Sequence, residues 1–299
     1  MKYLINCFVV VLGMYVTVVM SSCGRNADVL ESEIRAYIAD KDARIGVAVM
    51  LDGEVYAEVN GCIDFPMLSV YKFPQALAVA DYCRRNGLSF SDTLSIAAEE
   101  IEENTWSPMR ERYGVSDMAL PISELLGYTL QQSDNNACDV LFRLIGGTAV
   151  ADSVMKSAGF ENIVIASTEA EMHDDVCLCY QNRSTPLAMA RLLEHFDSEL
   201  RKEGREYEEI AALMETCETG MDRLAGALPG DVVIGHKTGT GDRNSQGRII
   251  GINDVGYVHL SDGRRYVVAV FIADSAADAP ATARMIADLS AIIYRRITK

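Results

Sequence analysis

Strand-like patterning stands at both ends of this chain, with a long helical stretch between, and that order limits the fold more than any other feature. "RIGVAVMLDGEVYAEVN", residues 44–60, reads as two strands joined at Asp52-Gly53, a dipeptide that favours a tight hairpin turn. "DVVIGHKTGT", "GYVHL" and "RRYVVAVFI" lie between residues 231 and 272 and are rich in β-branched and aromatic residues. The last two flank Ser261-Asp262-Gly263, a turn signal. The middle instead repeats apolar residues every three or four positions. "PQALAVADYCRRNG" closes on Gly87, "NACDVLFRLIGG" stops at Gly146-Gly147, and "STPLAMARLLEHF" opens with a Ser/Thr cap and Pro186. "ISELLGYTLQQ" is a further helix, and "DVLESEIRAYIADK" and "ATARMIADLSAIIYRRI" place one more at each end.

Strands so far apart share one antiparallel sheet only if the helical block is an insertion. The expected fold is therefore α/β plus all-α: an antiparallel sheet flanked by helices, with an inserted helical domain. The expected division is residues 24–63 with 213–299 for the α/β domain and 64–212 for the helical one. That arrangement leaves a cleft between them, a common place for an active site.

A formal charge of −16, from 43 acidic and 27 basic residues, argues against a nucleic-acid partner, because phosphate contacts need Lys/Arg patches. The first residues, "MKYLINCFVVVLGMYVTVVMSSC", combine Lys2, an apolar run and small residues, and Asp28 is the first acidic one. The run is nearly long enough for a membrane anchor. Its ending favours an export signal over residues 1–23, and Ser-Ser-Cys resembles a lipoprotein box with Cys23 as the lipidated residue. Met20 departs from the usual Leu of such a box. An exported, periplasmic, lipid-anchored protein is the expectation. Export permits disulfides among Cys62, Cys83, Cys138, Cys177, Cys179 and Cys217, but spacing does not give their pairing. Cys83 and Cys138 sit on apolar helix faces and read as buried thiols. "HDDVCLC" at 173–179 has zinc-type donors at a spacing that matches no familiar site, so no metal is expected.

Three short motifs carry the chemistry. Ser69 and Lys72 in "SVYKFP" are three apart and share a helix face. A second S-x-x-K, Ser153–Lys156, makes this pair alone uninformative. "QSDNNA" then supplies Ser133-Asp134-Asn135, and "HKTGTG" supplies Lys237-Thr238-Gly239. S-x-x-K, S-D-N and K-T-G in this order should coincide by chance in under about one chain in a thousand. Ser153 cannot replace Ser69, because it follows S-D-N.

With "NTWSPM", "TEAEMH" and "YQN" also in place, the chain resembles a class A serine β-lactamase, nearest the extended-spectrum cephalosporinase branch. The likeness runs from about residue 26 to 295 and implies an α/β domain from both chain ends beside an all-helical one. It implies hydrolysis of β-lactam antibiotics, with cephalosporins favoured, through a serine acyl-enzyme. A penicillin-binding DD-peptidase or a non-catalytic β-lactam-sensing domain would share the acylating motifs. A small-molecule β-lactam is the implied partner, with no cofactor, and the chain is expected to act as a monomer.

The resemblance also assigns roles. Ser69 is the nucleophile, and Lys72 moves its proton. Ser133 protonates the leaving nitrogen. Asn135 orients Lys72 and holds the substrate amide. Lys237, Thr238 and Thr240 bind the substrate carboxylate, while Gly239 admits close approach. Backbone N–H groups of Ser69 and Thr240 form the oxyanion hole. Glu169 activates the hydrolytic water, and His173 stands four residues on, where most relatives carry Asn. Trp106 reads either as a cleft-mouth aromatic or as core. Arg223 reads either as a carboxylate-assisting cation or as a surface residue. Asp134 is expected to stabilise its own turn, His236 to serve as packing, and Glu171 to be an exposed loop acid. The usual Arg at the start of the Glu169 loop is missing, so its customary Arg–Asp clamp is not assumed.

Overall fold

The computed structural model describes residues 26–202 and 204–299. The expected signal segment and Cys23 lie outside the described residues. In chain order, α1 (residues 26–38) is followed by β1 (Arg44–Leu51), β2 (Glu54–Val59), β3 (Phe65–Pro66) and α2 (Lys72–Asn86). Next come β4 (Thr93–Ile96), α3 (Pro108–Tyr113), β5 (Met118–Pro121), α4 (Ile122–Gln131), α5 (Asn135–Ile145) and α6 (Thr148–Ser157). β6 (Ile163–Val164), α7 (Glu169–Asp174), β7 (Arg183–Ser184), α8 (Pro186–Ser198) and α9 (Arg205–Glu215) complete the middle. β8 (Val233–Thr240), β9 (Ile249–His259), β10 (Arg265–Ser275) and α10 (Ala279–Ile297) close the chain.

The expected sheet is present, in the order β2-β1-β10-β9-β8. Each neighbouring pair is antiparallel, and β1 from the first part pairs with β10 from the last across Val47↔Val270 and Val49↔Val268. Asp52 and Gly53 turn the β1–β2 hairpin with φ of 50° and 90°, the left-handed pair that a two-residue turn requires. Strand alternation sends Val47, Val49, Val268 and Val270 to one face, where they pack against Leu30 and Ile34 of α1 and Ile286, Leu289 and Ile293 of α10. It sends Ala48, Met50, Val267, Ala269 and Phe271 to the other face, against Met189, Leu193 and Phe196 of α8. Each fully buried Val, Leu, Ile or Phe among them contributes about 2 kcal/mol, so a charge on either face would be strongly disruptive.

The predicted helices form with the predicted ends. Thr185 caps α8 and Pro186 opens it, and Gly87 and Gly146 close α2 and α5 in the left-handed conformation. The short strands β3, β6 and β7 form a small second sheet that the sequence reading lacked, as it lacked α9. The expected domain break after residue 212 falls inside α9, which runs on to Glu215. Among the described residues no helix is long and apolar enough to cross a membrane. The six cysteines there are free thiols; Cys83 and Cys138 are buried as expected, and Cys62 and Cys177 are exposed.

Candidate active site

A cleft of about 580 Å³ opens beside the β8 edge of the sheet. Ser69 lines it from a 3-10 turn, Leu68–Tyr71, that leads directly into α2. The residue before it, Leu68, has φ 48°, an uncommon conformation for a non-glycine residue and a local strain held by the surrounding packing. Gly239 explains how β8 comes so near this turn. A Cβ there would stand 2.5 Å from the Met67 carbonyl oxygen and 3.1 Å from Leu68 Cβ, so only glycine fits. Asn253 of β9 secures the turn from behind, donating from Nδ2 to the Pro66 and Met67 carbonyls at 2.9 and 3.0 Å.

Lys72 begins α2 and is fully buried. Its Nζ donates to the Ser133 carbonyl at 2.8 Å and to Asn135 Oδ1 at 2.6 Å, and stands 3.0 Å from Glu169 Oε1. The two oxygens take two of the ammonium's three donors, and Glu169 adds an opposite charge beside it. The Glu169 contact is close enough for an ion pair, and Oε1 itself is buried. Ser133 sits in a strained turn with φ 59° and accepts at Oγ from Lys237 Nζ at 3.0 Å. Lys237 is wholly buried on β8, and that burial, with the nearby Lys72 charge, holds its ammonium down to about 8 despite opposing negative groups.

Asp134 does more than stabilise its own turn. It caps α5 through the Ala137 N–H, and it also accepts from the Met109 N–H at 2.7 Å and from Ser107 Oγ. Burial nevertheless pushes its carboxyl up from the ordinary range. These bonds fix the segment that carries Trp106. That ring is 58% exposed, with Nε1 donating to the Gln132 carbonyl, so it lines the cleft mouth and is not core. Asn135 donates from Nδ2 to Thr105 Oγ1 at 2.8 Å, which fixes its oxygen toward Lys72.

Thr238 and Thr240 line the opposite wall. Thr238 Oγ1 lies 2.6 Å from Thr219 Oγ1. Arg223 is not a surface residue; it is 8% exposed and does not line the cleft. Its Nη1 donates to the Gly239 and Asn253 carbonyls at 3.0 and 2.9 Å, and its Nη2 to Thr240 Oγ1 at 2.6 Å. His236 is more than packing: its Nδ1 pairs with buried Asp254 at 2.9 Å. Burial opposes charge on this imidazole, but Asp254 outweighs it and holds the group up at about 10.

Glu169 is the first residue of α7, and Thr168 caps that helix in a reciprocal box with Glu171, which is therefore a cap as well as an exposed acid. Two residues, Asp139 and Asn182, hold the loop that carries Glu169. Asp139 accepts from the Glu169 and Ala170 N–H groups at 2.9 and 2.8 Å. Burial pushes its carboxyl up to about 6. Asn182 accepts from the Ala166 and Ser167 N–H groups and donates back to the Ser167 carbonyl. His173 is exposed at the cleft rim. The zinc-type donors of "HDDVCLC" are spread over α7 and the turn after it, and among the described residues no metal-holding cluster forms.

Sequence reasoning missed Asn253, Asp139 and Asn182. Only Asn182 left a signal, inside "YQN".

A family model described as "Beta-lactamase enzyme family" matches residues 29–297. A β-lactamase of Bacteroides uniformis is 35% identical over 96% of this chain and 97% of its own length. A crystal structure of a class A β-lactamase from Bacteroides cellulosilyticus superposes with a TM-score of 0.87 at 36% identity, covering 91% of this chain and 98% of that one. The structure of the extended-spectrum β-lactamase TLA-1 gives a TM-score of 0.89 at 36% identity, covering 92% of this chain and all of that one. The chain belongs to the β-lactamase enzyme family, as a class A serine β-lactamase of the extended-spectrum branch.

Proposed function

We propose that Ser69 is the nucleophile of this β-lactam hydrolase and that Glu169 converts acylation into turnover. The observation that carries the reading is the Lys72 ammonium, which touches the Ser133 carbonyl, Asn135 and Glu169 at once. One buried cation thus joins the residues of both half-reactions.

The substrate carboxylate docks on Thr238 and Thr240 in the field of Lys237, and the lactam carbonyl points at the backbone N–H groups of Ser69 and Thr240. Each oxyanion donor of this kind contributes about 3 kcal/mol in the transition state. Ser69 Oγ attacks the carbonyl carbon, its proton passing by way of Lys72 toward Glu169. The C–N bond breaks, and the ring nitrogen takes the Ser133 proton, a transfer favoured by Lys237 Nζ 3.0 Å behind that oxygen; the proton taken from Ser69 passes back from Glu169 by way of Lys72 to Ser133, which restores the hydroxyl and leaves Glu169 a carboxylate. Glu169 then takes a proton from a water that attacks the ester. Ser69 leaves as the alcohol, and the opened acid departs. General-base help at that step is worth roughly 10²–10⁴-fold. Trp106 and His173 border the substrate at the mouth, and Asn135 holds its side-chain amide. Cephalosporins are the favoured class, a reading supported by the similarity to extended-spectrum TLA-1.

Intact-mass analysis with a slowly hydrolysed β-lactam tests the nucleophile. One adduct that maps to Ser69 and vanishes in Ser69→Ala is expected; an adduct at Ser153 overturns the assignment.

The division into an α/β domain and a helical domain is also our reading. The two apolar clusters on opposite sheet faces support it, with the second boundary set at the end of α9 rather than after residue 212. Export to the periplasm with lipid on Cys23 rests on the Ser-Ser-Cys ending. A mature protein beginning elsewhere would mean that Cys23 carries no lipid anchor. Monomeric action is tested by sedimentation.

A further inference from the structure

Arg223 reaches the Thr240 wall from residues 216–224, a stretch after α9 with no helix or strand of its own. Its Nε is buried and has no hydrogen-bond partner among the described residues. The aim of the guanidinium therefore depends on its two Nη groups and on the backbone that carries it. Asp254, wholly buried on β9, ties that backbone to the sheet. Its Oδ2 accepts from the Leu224 N–H at 3.1 Å, and its Oδ1 lies 2.9 Å from His236 Nδ1. Strand alternation puts His236, Thr238 and Thr240 on one face of β8. Asp254 is the direct cross-strand partner of Thr238, so its side chain stands on that same face. Residues 216–224 lie against it: a Cβ on Gly220 would come within 2.5 Å of Thr238 Cγ2.

A buried carboxylate is unfavourable unless it is paired and hydrogen-bonded. Here His236 is the paired cation. Burial opposes charge on the imidazole, but Asp254 holds it up at about 10, so the pair stays ionic through the neutral range. The preceding residue of β9 grips the same segment, because the Asn253 carbonyl accepts from Arg223 Nη1 at 2.9 Å. Asn253 and Asp254 thus hold the guanidinium and its backbone at adjacent points. On the other side the Leu224 carbonyl accepts from Ser290 Oγ of α10 at 2.9 Å, so the residue after Arg223 is pinned between the sheet and α10. Arg223 Nη2 then occupies an acceptor lone pair of Thr240 Oγ1, which leaves the Thr240 O–H to donate into the cleft.

We propose that Asp254 is a positioning residue for capture of the substrate carboxylate. By joining Leu224 to His236 it keeps Arg223 Nη2 on Thr240, and Thr240 then donates its O–H to the carboxylate. This role rests on the proposed binding of that carboxylate by Thr240.

A cephalosporin and the methyl ester of its ring carboxylate, assayed on the full chain, separate positioning from general stability. Asp254→Ala removes both tethers. It should lower kcat/KM for the acid by about tenfold or more, mostly through KM, as for the loss of a hydrogen bond to a charged group, and change the methyl ester by less than about twofold. Asp254→Asn keeps an oxygen for the Leu224 N–H and should recover part of the acid's KM. In an Arg223→Ala background, Asp254→Ala should add little further loss on the acid. Equal losses on acid and methyl ester overturn the proposal. So do an unchanged acid KM in Asp254→Ala, an Asp254→Asn variant no better than Asp254→Ala, or a full additional loss in the Arg223→Ala background. If Asp254→Ala does not fold, an ester oxygen in place of the Leu224 N–H, introduced as the α-hydroxy acid, deletes that one bond. The acid's KM should then rise by about threefold or more, and an unchanged KM overturns the proposal. Thr240→Val is measured alongside. An unchanged acid KM there overturns carboxylate binding by Thr240 and the role of Asp254 with it. A raised KM there, beside an unchanged one in Asp254→Ala, overturns the role of Asp254 alone.

Discussion

Replacing Arg223 by Ala removes three donated hydrogen bonds at once, and the structure separates their consequences. The bond from Nη2 to Thr240 Oγ1, 2.6 Å long, is the one that reaches the cleft wall. A hydrogen bond to a charged group is worth about 1.5–3 kcal/mol, which predicts a loss of roughly 10- to 150-fold in kcat/KM. The two bonds from Nη1 satisfy the Gly239 and Asn253 carbonyls in the interior. Orphaning both costs about 1–3 kcal/mol each, a large share of a typical folding free energy. Arg223→Ala should therefore be catalytically weak and less stable. Thr240→Val separates the two effects, because it removes the hydroxyl and leaves the carbonyls satisfied. It should lose activity with little change in melting temperature. In the double variant the two catalytic losses should not add, since both remove one contact. Kinetics on titrated active sites, with thermal melts in parallel, make the comparison. Fully additive catalytic losses would mean that Arg223 acts on the substrate without Thr240.

Burial holds Lys237 down to about 8, so the free enzyme keeps the charge that attracts the carboxylate below that pH and loses it as pH rises through it. The profile of kcat/KM should fall on the alkaline side near that point, and Lys237→Arg should move the limb upward because guanidinium stays charged; an unchanged limb would place the titration elsewhere. Asp139→Ala should loosen the start of α7, slowing deacylation by roughly tenfold or more while acylation changes little, because two N–H bonds to Glu169 and Ala170 are lost. Pre-steady-state burst kinetics read the two steps apart, and equal slowing of both would contradict that role.

The succession of strands and helices along the chain and the three motifs were legible because each is local. Asp52-Gly53 encodes its own hairpin, and Ser69 and Lys72 meet the rest of the site from one short stretch of backbone. Glu169 was legible only by resemblance, since an isolated loop carboxylate has no pattern of its own. Asn253 was hidden because its partners Pro66 and Met67 lie 187 and 186 residues away and meet it only through the β9–β10–β1 order. Asp139 was hidden likewise, with its partner Glu169 30 residues on. His236 read as packing because Asp254 stands across the β8–β9 ladder, diagonal to it, where Thr238 is the direct partner. The strands β3, β6 and β7 hold two residues each, too few for any periodicity. Arg223 was ambiguous because a lone Arg after "MD" gives no sign of three acceptors converging in the interior.

One site acylates at Ser69 and deacylates through Glu169 in the proposed mechanism. Glu169→Gln keeps the side-chain shape and removes its basicity, while Ser69, Lys72, Ser133 and the Thr240 backbone remain to acylate. Stopped-flow mixing with a chromogenic cephalosporin, followed by intact-mass analysis, measures both halves in one experiment. A stoichiometric burst, an acyl adduct on Ser69 that persists, and steady turnover reduced by roughly 10²–10⁴-fold are expected. Steady turnover within about tenfold of the parent, with no accumulated adduct, would contradict this mechanism and assign the base to another residue.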